Sequence, residues 1–190
     1  HQNIGYLFPM GPYYWLCQAV GMPDWIAQRL WVGSIMFLAG LGAPAFLRTL
    51  RWEGSGLWVA AFSYALSPYL LGYLYKHSVI LLPYAALGWL LTFTARSLRE
   101  RTWRDPALFA LTCLWSGGIN ATSLLLVLIG PGLWVLHATF VEKETKLRAT
   151  LAPLLRIGVL TLATSLWWIF GLVMQGRYGI NVLRYTETYK

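Results

Sequence analysis

Long apolar runs, separated by short polar or glycine-rich breaks, dominate this chain. A transmembrane helix needs about 20 mostly apolar residues, and most of the runs approach that length. The pattern therefore predicts an all-α fold, a polytopic bundle of transmembrane helices in a single domain covering 1–190. The predicted spans lie at 25–47, 54–75, 78–95, 106–118, 120–141 and 157–175. The run at 106–118 is too short for an ordinary span, so we expect a short or re-entrant helix there.

The two ends of the chain lack such runs. Two prolines and two glycines between Gly5 and Pro12 rule out a spanning helix, so residues 1–24 are predicted to form an outer loop with a short interfacial helix at 12–20. Asp24, directly after Pro23, is a suitable N-cap for the first span. We expect residues 176–190 to form a second outer loop.

Positive charge gathers in three short segments, at 48–53, 96–105 and 142–156. Lys and Arg in short loops favour the cytoplasmic side of a membrane, and even numbers of crossings between these segments allow all three to lie there. Residues 1–24 and 176–190 then lie on the outer face, as do the breaks near 76 and 118. The pattern thus predicts a multi-pass membrane protein with its site, if it has one, on the outer face.

The composition agrees with a membrane protein and excludes several other classes. Hydrophobic residues make up 57% of the chain and charged residues 12%, about half the charge of a soluble domain. The 11 Trp and 11 Tyr suit membrane–water interfaces, where an apolar ring and a polar tip are both accommodated. Cys17 and Cys113 form no disulfide framework or metal motif. The arginines are spread over separate loops, so we predict membrane lipid and no nucleic acid as partners.

Candidate chemistry lies on the predicted outer face, because the spans carry no Asp, Glu, Lys or Arg near their midpoints. Lys76, His77 and Arg177 follow apolar runs at the depth of phosphate groups, which suggests binding of an anionic ligand. These cations could instead extend to lipid headgroups. Tyr185 and Tyr189 flank Glu187, a pattern that resembles carbohydrate sites. An ordinary solvated loop is the alternative there.

Two further residues complete the set of predicted binding residues. Arg184 could contact either phosphate or sugar, and Asn120, at the glycine-rich break, is a weaker candidate.

Five segments, taken in order, resemble a known family. They are Tyr6–Pro12, Leu66–Tyr69, Trp103–Ala110, Gly117–Thr122 and Tyr185–Tyr189. Together they are similar to the large α-(1→3)-arabinofuranosyltransferases of mycobacteria and their relatives, which are GT-C class membrane glycosyltransferases. The likeness covers essentially the whole chain, although none of the segments is diagnostic by itself.

This resemblance implies a multi-pass cell-wall enzyme of the plasma (inner) membrane with its active site facing the periplasm. It implies decaprenyl-phosphoryl arabinose as the donor, and the arabinan of arabinogalactan and lipoarabinomannan as the acceptor. In GT-C enzymes an Asp of the first outer loop takes the proton of the attacking hydroxyl. We expect this chain to begin after that Asp and after the first helix, because Asp24 fits a helix cap better. The catalytic base is then not in this fragment, and we expect the fragment to be inactive alone.

Other functions stay open at this point. A polyprenol or lipid transporter would also place cations at the outer membrane edge, but it should show an internal repeat and polar residues through the bilayer. A non-catalytic membrane scaffold of a cell-wall complex would tolerate loss of Lys76 or Glu187. No cofactor is certain. Use of a divalent metal as cofactor stays open because some GT-C enzymes use one, but Glu187 alone cannot form a metal site.

Overall fold

Helices account for nearly all of the structure, a computed structural model that describes residues 8–74, 80–117, 121–142 and 147–178. The helices are α1 (Met10–Ala19), α2 (Asp24–Thr49), α3 (Gly56–Ala65), α4 (Pro68–Leu74), α5 (Leu81–Glu100), α6 (Arg104–Gly117), α7 (Ala121–Leu136, continued by a π-helix at His137–Val141) and α8 (Leu147–Tyr178). No β-strand occurs in these ranges, and the predicted all-α class is confirmed. Four helical segments are long and apolar enough to cross a membrane: Asp24–Thr49, Gly56–Leu74, Leu124–Val141 and Arg148–Tyr178.

Helix α5 lies at the centre of the bundle and is not among those four segments. It packs against α2, α6 and α7, which together bury most of its side chains. The hydroxyls of Thr92 and Thr94 are buried and donate to the carbonyls one turn earlier, at Gly88 and Leu90, both at 2.7 Å. A helix covered by protein on several sides needs less apolar surface than one that faces lipid, which explains why α5 carries these polar residues.

The tightest helix contact joins α2 and α5 through two glycines. A Cβ atom added to Gly88 would lie 2.4 Å from the carbonyl carbon of Gly42, so Gly88 has no room for a side chain, and a Cβ atom at Gly42 would lie only 3.2 Å from the Trp89 ring. The adjacent Trp89 donates its indole N–H to the carbonyl of Leu38 at 2.9 Å. Small residues allow membrane helices to approach this closely, and the crossing fixes how α2 sits on the central helix.

The predicted second span is divided between α3 and α4 at Ser67 and Pro68. Tyr64 donates its hydroxyl to the carbonyl of Tyr84 at 2.8 Å, and Tyr84 donates back to the carbonyl of Tyr64 at 3.0 Å. The two rings stack with centroids 4.3 Å apart. The Ser67 hydroxyl accepts from the amide of Leu70 at 3.3 Å. The helix break at Pro68 is thus held against α5 by polar contacts. A break inside a membrane helix requires such partners for its polar groups.

The structure differs from the sequence prediction at two helix ends. Helix α8 is continuous, whereas an interfacial stretch to Arg156 and a new span from Ile157 were predicted. The Arg156 guanidinium lies 4.9 Å from the centroid of the Trp103 ring, so this charge is accommodated by packing and does not interrupt the helix. Asp24 is the first residue of α2 and not its N-cap; the cap is Pro23, whose carbonyl accepts from Ile26 at 2.9 Å.

Candidate functional site

The described parts of the three basic segments lie together at one end of the bundle, which we call the basic end. The Arg99 guanidinium donates to the carbonyl of Thr49, which joins the end of α5 to the end of α2. Arg156 of α8 donates to the carbonyls of Arg101 and Thr102, the latter at 3.5 Å. These contacts join the loop after α2, the loop after α5 and the first part of α8.

The first turns of α2 lie at the opposite end, because α2 finishes at the basic end. Helix α1 packs there, and the Tyr13 hydroxyl donates to the carbonyl of Ala27 at 2.8 Å. The rings of Tyr13 and Trp31 lie 5.1 Å apart. Helix α8 starts beside the basic end, so its last residue, Tyr178, lies toward the opposite end too. Aromatic and polar side chains thus meet at this end.

A cavity of about 500 Å³ opens between the first half of α2 and the end of α4; we call it the α2–α4 cavity. Its volume is within the range typical of ligand sites. Six residues line it: Gln28, Arg29, Val32, Gly33, Met36 and Leu74. Along α2 the polar pair comes first and the apolar residues follow, so the lining changes from polar to apolar along the helix.

Arg29 is the charged group of this cavity. Its guanidinium lies 4.8 Å from the centroid of the exposed Trp25 ring, one turn earlier on the same helix. Within the ranges that the structure describes, no carboxylate forms an ion pair with Arg29. Gly33 leaves open space, because a Cβ atom added there would meet nothing within 4 Å. The cavity therefore combines an unpaired cation with free volume.

A second cavity, of about 410 Å³, lies between α7 and α8 and is almost entirely apolar. Thr161 and Trp168 line it, and their buried hydroxyl and indole N–H have no hydrogen-bond partner in the described part of the chain. It holds no charged side chain, so it offers no group that would bind a phosphate.

Asp105 is the most unusual carboxylate among the described residues. It lies in the first turn of α6 at the basic end and is 1% exposed, and neither of its oxygens has a hydrogen-bond partner in the ranges given above. Burial raises the pKa of the Asp105 carboxyl, and the charge of Glu100 adds to this, while Arg96 and Arg104 act in the opposite direction. A buried carboxylate without hydrogen bonds is costly.

Of the site residues predicted from sequence, only Arg177 is described. It lies in the last turn of α8, exposed and away from the basic end. The other predicted residues fall outside the described ranges: Lys76, His77, Asn120, Arg184, Tyr185, Glu187 and Tyr189. Their assembly into one site stays a prediction. Among the described residues, no group of three or more His, Cys, Asp or Glu side chains could hold a metal ion.

Sequence reasoning missed Gln28 and Arg29. Both lie inside the predicted span 25–47, where a single arginine near the start of the helix resembles an ordinary interfacial residue. A signal was present, since Gln28, Val32 and Met36 recur at intervals of four and share one face of α2. The part that sequence could not supply is the position of α4, which closes the cavity at Leu74.

The fold and the site define a polytopic helical membrane domain with a cationic cavity near one end. The chain belongs to the family described as "Alpha-(1->3)-arabinofuranosyltransferase, N-terminal GT-C domain", whose model matches residues 1–190. The family resemblance noted from the sequence is thereby confirmed.

Two curated relatives are similar to the chain. The α-(1→3)-arabinofuranosyltransferase of Mycobacterium tuberculosis is 29% identical over 177 residues, which cover 90% of this chain and 12% of the relative. The protein of the same name from Mycolicibacterium smegmatis is 29% identical over 198 residues, covering 99% of this chain and 13% of the relative. The chain thus spans about an eighth of the length of these relatives. No solved structure matches it significantly.

Proposed function

We propose that this chain is part of the membrane domain of a glycosyltransferase that moves arabinofuranose from a polyprenyl-phosphate donor to cell-wall arabinan. The donor is decaprenyl-phosphoryl arabinose, and the acceptor is the arabinan of arabinogalactan and lipoarabinomannan. The protein lies in the plasma membrane with its active site on the periplasmic face. Family membership supports the reaction class, because the two relatives are named for this transfer.

The placement of the α2–α4 cavity is the observation that carries this proposal. The basic end gathers the three arginine-rich segments, and such segments favour the cytoplasm. The cavity lies at the other end, and its cation lies in the second turn of α2, a helix long and apolar enough to cross a membrane. A donor with an anionic phosphate and a long apolar chain needs both features at the periplasmic edge.

The reaction requires a base for the acceptor hydroxyl and cations for the departing phosphate. Lys76, His77 and Arg177 are proposed for the phosphate, and Arg184 for either the phosphate or the sugar. Tyr185, Glu187 and Tyr189 are proposed for the sugar or the acceptor, with Asn120 as a further contact. The base is expected in another part of the protein. A resident metal is not required by this proposal.

The test is transfer of radiolabelled arabinose from the polyprenyl-phosphoryl donor to an arabinan oligosaccharide by the full-length protein. Wild type is compared with Lys76→Ala and Glu187→Gln at matched expression, with thermal unfolding as the check on folding. A large loss of transfer by both folded variants is expected. Absence of transfer by wild type with this donor would contradict the proposal and would favour a lipid transporter or a scaffold.

A further inference from the structure

We propose that the α2–α4 cavity binds an isoprenoid monophosphate, with Arg29 and Gln28 on the phosphate and the apolar wall on the start of the chain. This inference rests on the proposed function, and it adds Arg29 and Gln28 to the residues already proposed for the donor phosphate. It makes Arg29 a substrate-binding residue of the transfer reaction.

The polar mouth of the cavity suits a phosphate. A guanidinium donates two parallel hydrogen bonds to phosphate oxygens and keeps its charge at any physiological pH. Arg29 is exposed, and in the described ranges it contacts Trp25 and forms no ion pair with a carboxylate. The guanidinium is therefore available to an incoming anion. The Gln28 amide can donate a further hydrogen bond to a phosphate oxygen.

The apolar part of the cavity suits one hydrocarbon chain. From Gln28 to Met36 the α2 backbone rises about 12 Å; Val32 and Met36 follow the polar pair along α2, and Leu74 of α4 completes the apolar lining. The open space at Gly33 adds room beside this wall. One cavity of about 500 Å³ fits a single-chain amphiphile better than a phospholipid with two acyl chains.

The binding experiment uses the full-length protein in phosphatidylcholine nanodiscs and three probes. These are geranylgeranyl monophosphate, the corresponding alcohol geranylgeraniol, and dioleoyl phosphatidic acid, with affinities measured by native mass spectrometry and by competition. Charge-assisted hydrogen bonds contribute enough that Arg29→Ala should weaken monophosphate binding about tenfold or more. Binding of the alcohol should be unchanged. Gly33→Leu fills the cavity and should weaken the monophosphate and the alcohol alike.

Two matched controls separate the site from general effects. Arg48→Ala removes an exposed arginine at the basic end, and Gly56→Leu adds a side chain at a glycine that begins α3, lines neither of the two cavities and has open space around it. Both should bind the monophosphate like wild type. Equal affinity of Arg29→Ala and wild type for the monophosphate would overturn the inference. Equal competition by phosphatidic acid would overturn the isoprenoid assignment, since the cavity would then be a site for bilayer lipid headgroups.

The two proposals fail in different ways. If wild type transfers arabinose but Arg29→Ala and Gly33→Leu bind the monophosphate normally, the assignment of the monophosphate to the cavity is wrong and the proposed transferase function is unaffected. If the binding pattern is as expected but wild type transfers no arabinose, the cavity binds the monophosphate and the proposed transfer reaction is wrong.

Discussion

At the scale of single residues, the environment of a side chain decides its role more than its type does. Arg29 and Arg156 are both placed over tryptophan rings, at 4.8 and 4.9 Å. Arg156 also donates to two backbone carbonyls at the basic end, so it joins segments of the fold. Arg29 borders open volume and is therefore the one of the two suited to a ligand. Sequence gives both as arginines in apolar surroundings and cannot separate them.

The buried carboxyl of Asp105 should make the stability of the fold depend on pH. Burial in the folded state is the main cause that raises the pKa of the Asp105 carboxyl, so ionisation of this carboxyl lowers the stability of the folded protein. The loss of stability is absent below the unfolded pKa of about 4, and it is complete once the pH has risen through the folded pKa. The free energy of unfolding of Asp105→Asn at pH 7.5 should therefore exceed that of wild type by about 1 kcal/mol, and the variant should unfold at a higher temperature. The difference should vanish near pH 4.

Asp24→Asn is the control, measured by the same thermal unfolding in detergent. Asp24 is exposed in the first turn of α2, where a negative charge favours the helix by about 0.3–1 kcal/mol, so its loss should be slightly destabilising. Strong destabilisation by Asp105→Asn at pH 7.5 would show that the carboxylate has a charged partner that stabilises the fold, contrary to this account.

At the scale of elements, the apolar pattern was sufficient for the helices and insufficient for their ends. The second span is divided at Ser67 and Pro68, where proline lacks the N–H that a continuous helix needs. The continuity of α8 through Arg156 depends on the ring of Trp103, which lies far away in sequence. The central place of α5 also could not be predicted, because it depends on contacts with three other helices.

The crossing of α2 and α5 can be tested with one added methyl group. Gly88→Ala would place its Cβ 2.4 Å from a backbone atom of Gly42, and backbone cannot move aside as a side chain can. Overpacking of this kind costs about 1–3 kcal/mol, so the variant should unfold at a lower temperature. Gly72→Ala adds the same atom where nothing lies within 4 Å and should be neutral or slightly stabilising. Equal thermal stability of the two variants would contradict the crossing.

At the scale of the whole molecule, the proposed function depends on which end of the bundle faces the periplasm. The even number of crossings between basic segments was an argument from sequence, and the contacts of Arg99 and Arg156 place those segments at one end. The composition of the other end was harder to foresee. Most of the residues predicted for its site lie outside the described ranges. Gln28 and Arg29 line a cavity only because α4 packs beside α2, a contact that the sequence does not reveal.

Cysteine labelling tests this orientation. With the buried Cys17 and Cys113 replaced by Ala, one cysteine is introduced at exposed Gln18 of α1 or at exposed Ser55 after α2. A membrane-impermeant maleimide added to intact cells should label Gln18→Cys. Ser55→Cys should react only after the membrane is permeabilised. The reverse pattern would place the cavity on the cytoplasmic side and contradict the proposed periplasmic site.

The most direct test of the central claim is the rate of arabinose transfer by full-length Arg29→Ala compared with Arg48→Ala. Both variants remove one exposed arginine, but only Arg29 borders the cavity. With the polyprenyl-phosphoryl donor below saturation, Arg29→Ala should transfer about tenfold or more slowly than wild type, and Arg48→Ala should match wild type. Equal transfer by wild type and both variants, all properly folded, would show that the donor phosphate binds elsewhere.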